Sequence, residues 1–599
     1  MGMFSYMGLD ISPTLKSIPF LKDAPARALR AAGREATLFS LPAGWTLFEK
    51  GEPANAIYFV MSGALGAFRH SMDGRLELLS IIRAGEPVGE MALFTGGPDT
   101  VNPPRSASVY ALRDTEILKL SRAGFDRLIK ADPEILQRLI RVILHRLRNE
   151  NRRSSRGEPR VFSLVATSPT IDLELRAKAL AQSLGRLGLN VKIVDETEGD
   201  DKPTSFFDSC EREHDIVLLT SQVGDSSWFR LSIRQADRIW VLGRADARPS
   251  TPLLPRAHSP ALELKLVDVV LLSHGGDRRR GRPDDWLTAA GAGRLFHWNG
   301  VENGDCDRLA RIMAGRSVGL VFSGGGARAY AHIGVVRALR EYGVPIDFAG
   351  GSSMGAVIAA CVAMGWSDDE IDTRIRKAFV ESNPLGDYTL PVVGMVKGRR
   401  VNTRLKEHFG ETEIGELTLP FFAVSTNLTS GAFHVHRTGK VRDALRATIS
   451  LPGILPPVVQ DGSVLVDGAV LNNFPTDVMQ GLHRGFTVGC DVARAPEGLD
   501  AKEFIDPPSF TEWVLQHGFG AAPPIASLLM RSATLSVNPT EGRDLADLLV
   551  LPELADVELR DWEAYDAAVE AGYETAKLAL ANAAPIRALA APALEAQAG

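Results

Sequence analysis

Phe348-Ala-Gly-Gly-Ser-Ser353-Met-Gly355-Ala-Val-Ile-Ala-Ala-Cys-Val-Ala-Met364 is the stretch on which the fold turns. From Phe348 to Ser367 the chain is uncharged and long enough to span a bilayer, but Gly350, Gly351, Ser352, Ser353 and Gly355 crowd its first half. A buried strand, a tight turn and a small-residue helix are expected instead. In that context Gly351-x-Ser353-x-Gly355 has the form of a nucleophile elbow. Its flanking glycines permit the sharp turn that exposes the central hydroxyl, and the helix behind adds a favourable dipole.

Working back along the chain, Val318 to Phe322 reads as another strand, followed by Ser323-Gly-Gly-Gly-Ala-Arg-Ala329 and a helix from Tyr330 to Tyr342. Glycines at that point let backbone N–H groups face outward at a helix N-terminus, where an anion is favoured. Two anions fit. One is a dinucleotide pyrophosphate, since Gly324-x-Gly326-x-x-Ala329 satisfies the loose fingerprint and Asp347 stands 21 residues beyond Gly326. The other is the oxyanion formed when a nucleophile adds to an ester carbonyl. The elbow favours the second, because an oxidoreductase leaves Ser353 without a role. A serine hydroxyl needs a base. In α/β-hydrolase chain order the candidates are Asp467 with His483 or His517. His434 and His436 alternate along a strand with no third ligand at sensible spacing, so they are read as surface strand residues and no metal site is expected; His332 is read as a packing residue.

Outward from these turns, the 599 residues exceed what one hydrophobic core holds, and three domains are expected. With 45% hydrophobic and 23% charged residues the composition is globular, which excludes a disordered, collagen-like or coiled-coil chain. Lys+Arg number 67 against 73 Asp+Glu, a formal charge of -6, so there is no global basic field for nucleic acid. The 4 cysteines lie far apart without Cys-x-x-Cys, pointing to a reducing compartment, and Met1 to Asp10 lacks a secretory pattern. Short strands at Trp45–Phe48, Ile57–Met61, Leu65–Phe68, Leu76–Ile82 and Ser108–Ala111 predict a small β-barrel, closed by helices that begin after an N-cap at Ser121. Arg148 to Pro159 reads as a basic, solvated linker. Beyond it, strands at Val161–Ala166, Val191–Val194, Ile216–Thr220, Arg238–Leu242 and Val267–Leu272 alternate with helices such as Leu173–Leu184, the pattern of a parallel α/β sheet.

Three motifs in order, Gly324-Gly-Gly-Ala-Arg328, Gly351-Ser-Ser-Met-Gly355 and Asp467-Gly468-Ala469, resemble the patatin-like phospholipases. Ala331-His-Ile-Gly-Val335, Arg446-Ala-Thr-Ile-Ser-Leu-Pro-Gly453 and Asn472-Asn-Phe-Pro475 strengthen the resemblance; Ala329 departs from the glycine many relatives carry. It implies a parallel α/β sandwich with Ser353 as nucleophile and Asp467 as a base acting without histidine. It also implies an oxyanion hole along the backbone of Gly324, Gly325, Gly326, Ala327 and Arg328, with Gly351 and Gly355 flanking the elbow.

Gly89-Glu90-Met-Ala-Leu93 and Arg105-Ser106-Ala107, on a barrel with Gly51 and Gly63 at its turns, resemble the phosphate-binding cassette of cyclic-nucleotide-binding domains. The resemblance implies Glu90 on the ribose 2′-hydroxyl, Arg105 on the cyclic phosphate, Gly89 nearby and Ser106 on phosphate or purine, with cyclic AMP or cyclic GMP as regulatory ligand. The odd feature is Thr95 to Pro104, where Gly96-Gly97-Pro98 and Pro103-Pro104 give the loop a different potential shape. A nucleotide barrel joined through α/β sequence to a patatin-like domain is similar to the neuropathy target esterase group of lysophospholipases, as are Arg234-Gln-Ala-Asp-Arg-Ile-Trp-Val-Leu-Gly243 and Asp307-Arg-Leu-Ala-Arg311. The chain departs from that group in having one nucleotide domain and no N-terminal membrane helix.

The expected organisation is thus a multidomain α/β protein: a cyclic-nucleotide-binding barrel with helices over 18–150, a Rossmann-like α/β domain over 160–316, a patatin-like sandwich over 317–582 and a frayed tail over 583–599. The implied activity is hydrolysis of lysophospholipid or phospholipid acyl esters at a membrane surface, without a catalytic cofactor, by a cytoplasmic protein peripheral on the inner face. The competing reading is a cyclic-nucleotide sensor with little catalysis. Such a sensor, similar to the cyclic AMP receptor protein, predicts a helix-turn-helix where a basic linker and α/β sequence follow instead. Phe510 to Met530 is read either as core helices or as an apolar edge for lipid.

Overall fold

The computed structural model describes residues 12–18, 21–70, 76–91, 103–150, 159–250, 252–255, 266–273, 282–382, 384–389, 393–493, 542–554, 557–559 and 561–589, with 512 and 515. The chain divides into two units, Met1–Leu272 with Trp286–Gly293 and Gly300–Glu302, and Ser273–Asp285 with Arg294–Asn299 and Asn303–Gly599.

The first unit opens with strands β1 (Ala36–Leu41), β2 (Thr46–Phe48), β3 (Ala56–Ser62), β4 (Ala64–His70), β5 (Leu76–Arg83), β6 (Pro87–Val88), β7 (Ser108–Ala111) and β8 (Thr115–Ser121). They form two antiparallel four-stranded sheets, ordered β1-β8-β3-β6 and β2-β7-β4-β5. The period of two along a strand sorts β3 between two cores. Ile57 and Phe59 pack with Leu29, Phe125, Leu128 and Leu139 of the flanking helices, while Ala56, Tyr58 and Val60 fill the space between the sheets with Leu65, Ile82 and Val109. The expected cap is present: Ser121 Oγ accepts from the Gly124 amide at 3.1 Å and opens the helix Arg122–Ala131.

The same unit continues with β9 (Val161–Ala166), β10 (Val191–Val194), β11 (Ile216–Gln222), β12 (Arg238–Arg244) and β13 (Leu266–Ser273), parallel in the order β10-β11-β9-β12-β13. The sheet is the parallel α/β layer expected from the alternation, with its second and third strands exchanged relative to the 3-2-1 order of a dinucleotide fold. Its tie to the barrel is ionic. Arg113, 1% exposed, is paired with Glu211 and, at 2.8 Å, with Asp237. Asp237 also accepts from the amides of Arg160 and Val161, Arg234 pairs with Asp114, and Asp208 accepts from the Gly63 amide. Burial draws the Arg113 pKa down, but Asp237 and Glu211 outweigh it and hold it above the ordinary value. The Arg234–Gly243 motif therefore has a structural use: two of its charges meet the barrel.

The second unit includes β14 (Arg294–Asn299). Then come β15 (Val318–Phe322), β16 (Phe348–Ser352), β17 (Phe421–Asn427), β18 (Ala432–His436), β19 (Val458–Gln460), β20 (Ser463–Asp467), β21 (Phe486–Cys490) and β22 (Leu548–Val550). Their order is β19-β20-β17-β16-β15-β21-β22, with β18 paired to β17. The centre is parallel and buried on both faces, which accounts for the unbroken apolar runs; β18, β19 and β20 are antiparallel. Phe348 to Ser367 is strand β16 followed by the helix Ser353–Ala363, both in the core, and no helix among the described residues is long and apolar enough to cross a membrane. The described part of the tail, 583–589, is partly helical. Within it, Ala584–Arg587 is a short helix that buries Ile586; 590–599 lie outside the described residues.

Candidate active site

Strand register brings the two principal side chains together. Ser352 at the end of β16 pairs with Val424 of β17, and the next residue of β17, Ser425, pairs with Asp467 at the end of β20. Ser353 and Asp467 thus stand where β16 and β20, consecutive on one edge of β17 with β18 on the other, end against each other. Ser353 Oγ donates to Asp467 Oδ2 at 2.7 Å, and the other carboxylate oxygen accepts from the Ala469 amide at 2.9 Å. Asp467 is 1% exposed, and burial pushes its carboxyl up to about 7 against the opposing pull of those two bonds.

Ser353 has φ 51°, in the left-handed region that a non-glycine residue rarely adopts. The glycines beside it are required by close approach. A Cβ on Gly355 would stand 2.3 Å from the Ser323 carbonyl oxygen and one on Gly351 2.6 Å from that of Phe322. The Ser353 amide donates to Thr448 Oγ1 at 2.9 Å.

The first glycine turn sorts its own amides. Gly324 N donates to the Asn473 carbonyl, Ala327 N to the Leu559 carbonyl and Arg328 N to the Gly325 carbonyl, whereas the amides of Gly325 and Gly326 have no partner among the described residues. Of the five residues expected to form the oxyanion hole, three are thus engaged elsewhere through their amides, and the Arg328 side chain reaches the Val557 carbonyl. Asn473 was visible only as part of a motif without a role. Its Nδ2 donates to the Gly324 carbonyl at 3.2 Å, and its buried Oδ1 lies 2.6 Å from where a Gly324 Cβ would stand, with Ser353 Cβ 2.8 Å from the same point.

The histidines are placed elsewhere. His483 is buried against Phe348, with Nδ1 at 3.0 Å from Ser317 Oγ, and burial pushes it down to about 3. His483 thus sits beside Ser317 and Gly319 at the start of β15, while the glycine turn follows the strand's other end. His332 stacks on Phe322 and holds the Ser323 carbonyl at 2.9 Å, the packing role expected. His436 differs from the surface reading: it is buried, at 2.8 Å from Ser425 Oγ, while His434 is exposed. His517 and most of Phe510–Met530 lie outside the described residues. Among the described residues no cluster of His, Cys, Asp and Glu could hold a metal. Asp347, the ribose ligand of the dinucleotide alternative, is buried and paired with Arg311 at 2.6 Å, which gives Asp307–Arg311 a structural role.

In the barrel, Arg105 is 4% exposed and donates to the carbonyls of Gly89 at 2.9 Å and Ala56 at 2.8 Å, with its guanidinium 4.2 Å from the Phe48 ring centroid. Burial draws its pKa down, opposed by Tyr58, Glu52 and Glu90. Gly89 has φ 82°, and a Cβ there would come within 2.2 Å of Arg105 Nη1, so this glycine is fixed both by its backbone and by the arginine packed on it. Glu90 is buried at 2% exposure and Ser106 is exposed. Residues 92–102, which hold most of Thr95–Pro104, lie outside the described residues.

These geometries agree with the comparisons to known proteins. Residues 320–479 match the patatin-like phospholipase family and residues 38–132 the cyclic nucleotide-binding domain. An uncharacterized NTE family protein of Mycobacterium tuberculosis is 31% identical over 96% of this chain and 97% of its own. Human patatin-like phospholipase domain-containing protein 6 is 27% identical over 76% of this chain and 38% of its own, and rat patatin-like phospholipase domain-containing protein 7 is 27% identical over the same shares. A match at 31% identity that covers nearly all of both chains places this chain in the NTE family.

Proposed function

We propose that this protein hydrolyses acyl esters of lysophospholipids or phospholipids, with Ser353 as nucleophile and Asp467 as its base. The observation that carries the reading is the 2.7 Å bond between Ser353 Oγ and a buried carboxyl whose pKa stands at about 7, near the value that suits a general base at neutral pH. Ionised Asp467 takes the Ser353 proton as Oγ adds to the ester carbonyl carbon. The amides of Gly325 and Gly326 receive the oxyanion. Collapse expels the glycerol oxygen, which leaves with the proton from Asp467; water then gives a proton to Asp467 and attacks the acyl-serine, and Ser353 recovers that proton as the fatty acid departs. His483 has no part in this scheme. Lipid reaches the site from a membrane or micelle surface on which the protein sits peripherally.

The barrel supports a regulatory ligand of the cyclic-nucleotide class. Glu90 takes the ribose and Arg105 the cyclic phosphate by exchanging its Gly89 and Ala56 carbonyl partners for phosphate oxygens, a stronger charge-assisted acceptor. The test of the activity is turnover of a short-chain aryl ester, then of lysophospholipid and diacylphospholipid micelles, by the full chain and by Ser353→Ala, with and without a serine-directed phosphonate. Phosphonate-sensitive turnover lost in the variant is the expected result; equal turnover by both proteins overturns the assignment.

A further inference from the structure

The run Arg446-Ala-Thr-Ile-Ser450 carries no reacting group, yet it touches both members of the Ser353–Asp467 pair. Thr448 is fully buried at the end of the helix Val441–Thr448. Its hydroxyl proton is directed to the Val424 carbonyl, so the oxygen lone pair is what receives the Ser353 amide at 2.9 Å. Both bonds of the hydroxyl have a defined direction. The Val424 carbonyl is a rigid anchor, because Val424 sits in β17 paired with Ser352 of β16 on one side and Val435 of β18 on the other.

Two residues on, the Ser450 carbonyl accepts from the Asp467 amide at 2.9 Å. Arg446 holds this turn in place: its guanidinium bonds the Ser450 hydroxyl, Asn402 Oδ1 at 2.9 Å and the Pro456 carbonyl at 3.0 Å. One short segment thus grips the backbone of the nucleophile with a side chain and the backbone of the base with a carbonyl. Ser353 needs such a grip. Its left-handed φ is uphill for a residue with a Cβ, and its amide is one of the donors that a helix start leaves without an intrahelical partner.

We propose that Thr448 is a positioning residue for Ser353, its hydroxyl clamping the strained elbow to β17 so that Oγ stays within bonding distance of Asp467. The proposal rests on the Ser353–Asp467 reading above and adds a third group to it. A methyl group in place of the hydroxyl leaves the Ser353 amide and the Val424 carbonyl unpaired at nearly constant volume, freeing the elbow to relax toward an ordinary φ and draw Oγ away from the carboxylate.

The test compares Thr448→Val, which loses the hydroxyl, with Thr448→Ser, which keeps it, in the full chain. The valine variant is expected to lose roughly 30- to 300-fold in kcat with KM within about twofold, and to react with a fluorophosphonate more slowly by a similar factor. Its pH–rate midpoint should rise, because the Ser353 bond that lowers the Asp467 pKa is weakened. The serine variant should recover activity to within about threefold. A merely structural threonine would reduce the amount of folded enzyme without moving the pH midpoint. Full kcat in folded Thr448→Val, or equal damage in the serine and valine variants, overturns the proposal. Should the valine variant not fold, Thr448→Ala measured against Thr448→Ser decides by the same readouts. Turnover surviving in Ser353→Ala would instead remove the underlying nucleophile reading, so the two failures are distinct.

Discussion

At the proposed catalytic turn the two side chains are held by neighbouring turns and a helix end, whereas in the nucleotide-binding domain the arginine is held by its own barrel. Ser353 and Asp467 meet because two strands end against each other on one edge of β17, and their amides donate to the Thr448 hydroxyl and the Ser450 carbonyl. Arg105 instead lies on aromatic rings and donates to two carbonyls. The first arrangement is preorganised, since its partners are fixed by the helix end at Thr448 and the turns at Ser450 and Ala469 and have nowhere else to go. The second is an exchange site: any anion has to compete with interactions the guanidinium already makes. Motifs of equal clarity in sequence can thus differ in how much of their chemistry is ready-made.

The widest gap in that comparison opens at the catalytic pair. Ser353→Ala should abolish turnover, and Asp467→Asn should lower kcat by roughly three to five orders of magnitude, both measured on a soluble aryl ester. Since the carboxyl titrates at about 7, wild-type kcat/KM should rise with pH through that value and level off above it. Its folded pKa lies above the unfolded one, so its burial destabilises the protein progressively as pH climbs from about 4 to 7. Asp467→Asn should therefore raise the melting temperature relative to wild type by more at pH 8 than at pH 4, and an unchanged difference between the two would contradict a buried, ionising base.

On the barrel side the largest effect belongs to the joint rather than to the cassette. Arg113→Ala leaves the half-buried Asp237 and Glu211 with only the more exposed Arg83 as a cation and should cost about 3 kcal/mol, read as an earlier transition of tryptophan fluorescence in denaturant. Arg105→Ala comes next. Loss of a charge-assisted phosphate contact predicts roughly ten- to a hundredfold weaker cyclic AMP or cyclic GMP binding by calorimetry, with aryl ester turnover in nucleotide-free buffer unaffected. Should Arg105→Ala bind nucleotide as well as the wild type, the exchange model fails and the guanidinium is purely structural. The smallest effect is expected at His483→Ala, whose buried ring bonds Ser317 beyond the far end of β15: kcat should stay within about threefold, and a loss matching that of Asp467→Asn would replace the pair by a triad.

Much of this was legible before any coordinates. The strands Val161–Ala166, Val191–Val194 and Val318–Phe322 were readable to the residue because each is an apolar run stopped by turn residues. Ser121 was readable as a cap because its hydroxyl can do little else before a helix. β1 and β8 were less so: Thr115–Ser121 alternates buried and half-buried positions, and polar residues on its outward face dilute the signal. The buried His436 was missed because its burial depends on the hydroxyl of Ser425 on the neighbouring strand.

The sequence by itself determined which residue types stand at the elbow, the glycine turn and the strand end, since each is dictated by local chemistry: a glycine where a Cβ would strike a carbonyl, a serine where a hydroxyl must project. Only the tertiary structure decided which of them act together. That Asp467 rather than His483 reaches Ser353 follows from the register of β16, β17 and β20, and that Gly325 and Gly326 keep their amides follows from Asn473 and Leu559 occupying the amides of Gly324 and Ala327. These are contacts between segments from about 40 to more than 200 residues apart, and no local pattern encodes the level at which two distant strands align.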